Sequence, residues 1–150
     1  MSIEDIGDVA ALTRAWWGQS LEWHSPDFGE VYLRVLSAEG GFYVVYNEGK
    51  GAVRARVRDS EAKAELVSML VEIVDVLDAG ICVYGDKSGE TYRPPSPSEI
   101  EAMIDPKTKW PKALAVARVS LLSPELLAVL RGQESAVKWT VDGKVIVSKI

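Results

Sequence analysis

The sequence predicts a single α+β domain, an antiparallel or mixed sheet with an N-terminal three-strand meander, a long packed helix, shorter helices and a C-terminal β-hairpin. Three stretches carry that expectation. Between Glu30 and Arg58, runs of strand-forming residues are separated by glycine-containing links that suit antiparallel neighbours. From Ser60 to Asp78, Ala62, Leu66, Met69, Leu70, Ile73 and Leu77 recur at helical spacing. Near the end, Val137, Trp139, Val145 and Val147 flank Asp142-Gly143. A three-residue loop with Gly143 left-handed puts all four on one face, whereas a two-residue turn splits them.

Taken in order, Ile3 to Trp17 reads as a helix capped by Ser2 and ended by Gly18. Gln19 to Gly29 reads as an aromatic loop holding Trp23, His24 and Phe28, with Ser25-Pro26-Asp27 as its turn. The meander follows as Glu30–Leu36, Phe42–Asn47 and Ala52–Arg58. In its third member Val53, Ala55 and Val57 alternate with Arg54, Arg56 and Arg58, the period of two of a half-buried strand. The long helix is capped by Asp59 or Ser60 and stopped by Gly80. If its apolar side lies on the valine side of the strand, its carboxylates and the three arginines face opposite ways.

Ile81–Tyr84 is a short strand, turned back by Asp86-Lys87-Ser88-Gly89 into Glu90–Arg93 until Pro94-Pro95 ends the pairing. Ser96-Pro97-Ser98-Glu99 has the serine, proline and glutamate of a capped helix start, and the helix stops near Asp105-Pro106. Ala113 to Leu121 has few polar residues and reads as a central strand. Ser123-Pro124-Glu125 opens a last helix that Gly132 closes.

With 150 residues the chain can bury a sizeable core without metals or disulfides. One cysteine, Cys82, points to a reducing compartment. No apolar run reaches the length of a membrane span and the start is acidic, so the expected location is the cytoplasm. A formal net charge of −5 disfavours nucleic acid as a partner and suits a basic protein.

Few residues offer chemistry. With one histidine and one cysteine far apart, no zinc site is expected, and no cofactor motif is present. His24 has no serine-bearing turn to serve, and Gly49-Lys50-Gly51 reads as a hairpin link rather than a phosphate loop. Cys82, between Ile81 and Val83, reads as a buried thiol. Arg54, Arg56 and Arg58 are candidates for anion binding, with Tyr43 and Tyr46 alongside, or else for pairing with carboxylates. A spatially assembled carboxylate pair leaves no local signature, so a small enzyme stays open as an alternative.

The candidate partner-binding residues are Glu61, Glu65, Glu72 and Asp75 on the long helix, with Trp16, Trp23 and His24 as a second, aromatic surface. At about 100° per residue, Glu61, Glu65, Ser68, Glu72 and Asp75 fall in one arc. Like charges at this spacing disfavour the helix, and acids near its C-terminus oppose the dipole. A face selected for binding a basic surface accounts for them.

A small acidic α+β domain of this kind resembles, in general character, the immunity proteins that bacteria make against their own secreted toxins. The resemblance is of class and covers no motif, so it transfers no residue. It implies a cytoplasmic protein that occludes a basic toxin domain without catalysing a reaction. Up to Pro95 the order of elements is also similar to that of type III secretion chaperones, and a secretion chaperone or adaptor is the alternative it implies. The later strand, helix and hairpin depart from that plan.

Overall fold

The computed structural model describes residues 20–25, 29–38, 41–86, 96–108 and 112–149. Ser20–Ser25 (β1), Gly29–Ala38 (β2) and Gly41–Glu48 (β3) form an antiparallel meander. Two helices, Lys50–Arg58 (α1) and Ser60–Val76 (α2), then carry the chain to Ile81–Asp86 (β4), which pairs parallel with β3. Parallel neighbours need such a crossover. Pro97–Ile104 (α3), Lys112–Arg118 (β5), a 3-10 turn at Val119–Leu121 and Pro124–Arg131 (α4) follow. Val137–Trp139 (β6) and Lys144–Ser148 (β7) close the chain as a hairpin. One seven-stranded mixed sheet results, in the order β1-β2-β3-β4-β5-β7-β6.

Helices cover both faces of the sheet. On one, Leu66, Leu70, Ile73 and Val74 of α2 bury against Val44, Tyr46, Cys82, Tyr84, Leu114, Val116 and Ile146, with Val53 of α1 at the margin. On the other, Met103 and Ile104 of α3 and Leu126 and Leu130 of α4 bury against Val45, Val83, Ala115, Val145 and Val147. Alternate residues of β3, β4, β5 and β7 supply the two cores, as the pleat requires. The central strands are therefore apolar on both sides, which is why Leu114 to Ala117 carries no polar residue.

The meander exists, but it is displaced by one strand. Ser20–Ser25, expected as loop, is its first member, and Ala52–Arg58, expected as its third, lies in helix α1. Ala52, Val53, Arg56 and Val57 are half-buried, while Gly51, Arg54, Ala55 and Arg58 are exposed. That is a helical repeat, with Arg56 in the inward place that the strand reading gave to Ala55. Alanine and arginine are good helix formers, so the period of two was a weaker signal than the side-chain partners available. The arginines accordingly do not form a basic sheet face, since that face is covered by α3 and α4.

The helix ends follow local chemistry. Asp59 caps α2, its Oδ1 accepting from the Glu61 and Ala62 N–H groups at 2.9 and 3.2 Å. At the other end Asp78, not Gly80, takes the left-handed turn with φ 49°. Ala79 N–H donates to the Val74 carbonyl and Asp78 N–H to the Asp75 carbonyl, at 2.9 and 3.2 Å, the double bond of a Schellman end. Ser96 and Glu99 form the reciprocal box at the start of α3, and Ser123 caps α4. In the last hairpin Thr140 N–H donates to the Lys144 carbonyl at 2.9 Å. That leaves a three-residue loop with Gly143 at φ 84°. The expected helix at 3–17 and the segment 87–95 lie outside the described residues. Among those described, no helix is long and apolar enough to cross a membrane.

Candidate partner-binding face

Helix α2 carries the acidic stripe outward. Leu66, Leu70 and Ile73 are buried, and Glu61, Glu65, Ser68, Glu72 and Asp75 are all exposed. Among the described residues no cation pairs with Glu61, Glu65 or Glu72. Glu61 stands in the first turn, where the helix dipole favours an anion. Glu65 and Glu72, seven residues apart and so on one side of the helix, have no such local support.

The stripe's C-terminal end is different. Asp75 Oδ1 receives Lys144 Nζ at 2.9 Å, and Asp78 Oδ1 receives Arg118 Nη2 at 3.1 Å. Both cations come from strands, β7 and β5, so nothing in the helix's own sequence announced them. Lys144 is itself buried and pairs also with Asp142. The hydrogen bonds it donates to Asp142 and Asp75 hold its ammonium above the ordinary lysine range. Arg118 Nε also donates to the Ala79 carbonyl at 2.9 Å, so two strand cations stabilise a helix end whose anions oppose the dipole. Asp75 is therefore an anchoring residue as well as an exposed one, and the unsupported acids reduce to Glu65 and Glu72.

The arginines are not brought together as an anion site. On helix α1, Arg54 and Arg58 are one turn apart and exposed, and Arg56 turns inward to Glu48. Glu48, expected in a hairpin link, ends β3 and is fully buried. Arg56 Nε donates to its Oε2 at 2.8 Å and Arg56 Nη2 to its Oε1 at 2.9 Å. The Tyr46 hydroxyl donates to Oε1 at 2.8 Å and the Tyr84 hydroxyl to Oε2 at 2.6 Å. The two rings stack with centroids 5.6 Å apart.

Four donors thus occupy the four acceptor positions of the carboxylate. Burial, together with the neighbouring Glu48 charge and hydrogen bond, pushes both phenols well above the usual tyrosine range. At Arg56 burial works against the charge, and Glu48 more than offsets it. A carboxylate so engaged has no lone pair left for a substrate proton, so its chemistry is that of a bolt joining α1 to β3 and β4. Tyr46 was legible as a strand residue, but Glu48, expected in a link, and Arg56, expected on a neighbouring strand, were not legible as its partners.

The remaining candidates contribute less. Trp16 lies outside the described residues. Trp23 and His24 stand on β1, opposite Val31 and Glu30 of β2, rather than in the expected loop. Cys82 is buried and its thiol is pushed up by burial alone, which makes it a poor nucleophile. Among the described residues no three His, Cys, Asp or Glu side chains gather as a metal site would require. No family model, curated protein or solved structure matches the chain.

Proposed function

We propose that this chain is an acidic protein-binding protein of the cytoplasm that neutralises a basic, toxin-like protein by covering it, as an immunity protein does. The observation that carries the reading is the pair Glu65 and Glu72, exposed on one side of a firmly docked helix with no cation among the described residues to meet them. Exposed carboxylates of one sign steer a basic partner and select against acidic ones. The net charge of −5 adds to the same field. Against catalysis stands the saturation of Glu48 by four donors.

The test is purification of the tagged full chain from the cells that encode it. A basic protein should be recovered in equal amount, and adding the pure chain to that protein should abolish its activity at one-to-one stoichiometry. Recovery without inhibition favours an adaptor. The absence of any basic partner contradicts both readings.

A further inference from the structure

Among the described residues the sheet ends in two edge strands, β1 and β6, and the two edges differ. β6 is three residues long with exposed Lys138 at its centre, which blunts it against further pairing. β1 is six residues long and carries no proline, glycine or lysine. Its register with β2 runs from Ser20↔Arg34 to Ser25↔Gly29 without a bulge. A regular edge of that kind presents backbone N–H and C=O groups outward, as a template for another strand. Among the described residues no strand takes that place.

The strand's own sequence selects the occupant. Two copies meeting edge to edge about a two-fold axis pair antiparallel and close, whereas β1 against β6 of another copy would repeat without closing. Residues directly opposed in an antiparallel pair share a face and direct their backbone groups alike, so the axis passes through a residue position. Only centres at Glu22 and Trp23 keep five of the six residues paired. Centring on Glu22 sets like charges directly opposite each other, which is destabilising. Centring on Trp23 sets Trp23 opposite its own copy, Glu22 opposite the partner's His24 and Leu21 opposite the partner's Ser25. An aromatic pair then lies at the axis with an acid–histidine pair on each side of it, all of them combinations that stabilise paired strands.

We infer that β1 is the interface of a homodimer, paired antiparallel about Trp23 with β1 of a second copy, so that two seven-stranded sheets join into one. Glu65 and Glu72 take no part, because α2 packs on β3, β4, β5 and β7; the dimer stands or falls independently of the acidic-face reading. Association at this edge depends on pH. Within one chain His24 stands opposite Glu30 of β2, and Glu22 opposite Tyr32. In the dimer His24 gains the partner's Glu22 as a further neighbour. A histidine that gains a carboxylate holds its proton more tightly, so association is strongest below the ordinary histidine value of about 6.5 and weakens as pH rises through it.

Sedimentation equilibrium of the full chain tests it. Expected is a dimer whose dissociation constant rises roughly two- to thirtyfold from pH 5.5 to 8, the range that two opposed charge pairs supply. At pH 5.5 Glu22→Lys and His24→Glu should each weaken association about tenfold or more, by setting like charges opposite each other. An equimolar mixture of the two variants should dimerise again, since every charge then meets its opposite, and a misfolded variant would not be rescued in this way. Mild oxidation reads the register, with Cys82 buried and out of reach. Trp23→Cys should form an intermolecular disulfide and Glu22→Cys should not, because only at the axis do the backbones come within disulfide distance. A chain that stays monomeric at both pH values overturns the homodimer. So does a dimer indifferent to both charge variants, or one that crosslinks through Glu22→Cys and not through Trp23→Cys.

Discussion

Arg56 grips Glu48 with two parallel bonds of 2.8 and 2.9 Å, and through that grip helix α1 is bolted to the strand it has just left. The geometry is the bidentate fork that suits arginine and not lysine. Removing one partner of a buried pair leaves an uncompensated charge and costs about 3–5 kcal/mol. Arg56→Met and Glu48→Gln should each lose stability of that order in urea unfolding. Tyr84→Phe, which deletes one bond to a charged acceptor, should lose about 1.5–3 kcal/mol. Partner affinity of the folded fraction should stay unchanged, since the network lies inside.

Alkaline pH should expose the same network. Tyr43, Tyr46 and Tyr84 are all raised above the ordinary tyrosine value of 10.0, with burial the first cause in each, and Cys82 is raised above the ordinary thiol value of 9.0. The folded state then holds protons that the unfolded chain releases, so their contribution is complete below pH 9 and is lost as pH climbs past 10. Lys149 acts in the opposite sense. Burial lowers its ammonium from 10.5 to about 8 beside Thr108 Oγ1 and the Ala102 carbonyl, at 2.9 and 3.3 Å. Its contribution therefore rises between pH 8 and 10.5. Thermal unfolding from pH 7 to 11 should show a steep loss above 10, smaller in Tyr84→Phe, and a flatter approach to it in Lys149→Met.

The acid side has a local signature in the last hairpin. Hydrogen bonds from Lys144 first, then Thr140, hold the Asp142 carboxyl down at about 2. Its stabilising contribution is present above the ordinary value of 3.8 and disappears as pH falls toward 2. Melting temperature measured from pH 2 to 6 should fall less steeply in Asp142→Asn. Lys144→Met should lower stability at neutral pH, by less than Arg56→Met, because Asp75 and Asp142 stay partly solvated.

Much of this fold was legible because its signals were local. The serine and proline before α3 and α4, the apolar repeat of α2 and the Gly143 hairpin each need only neighbouring residues to make sense. Helix α1 was misread because its decisive partner is not a neighbour in pattern: Arg56 is placed by Glu48, Tyr46 and Tyr84, and Tyr84 lies 36 residues from Glu48. The helix crossover makes β3 and β4 parallel, and that crossover was hidden once α1 had been taken for a strand. The acidic stripe was found correctly as a face, yet the cations that meet Asp75 and Asp78 come from β7 and β5 and were invisible to any reading of the helix alone.

Charge on α2 should govern binding and not folding. Glu65 and Glu72 are exposed and touch no cation among the described residues. Glu65→Gln and Glu72→Gln should each leave the melting temperature within about 1–2 °C of the parent, the range expected of surface changes. Differential scanning calorimetry checks this.

The most direct test is the affinity of the recovered basic partner for the double variant Glu65→Lys/Glu72→Lys, measured by titration calorimetry at low and at physiological salt. Expected are at least a hundredfold loss against the parent, a parent affinity that weakens as salt rises, and a melting temperature unchanged or raised. Affinity equal to the parent's at both salt concentrations, in a variant that remains folded, would contradict the acidic-face reading.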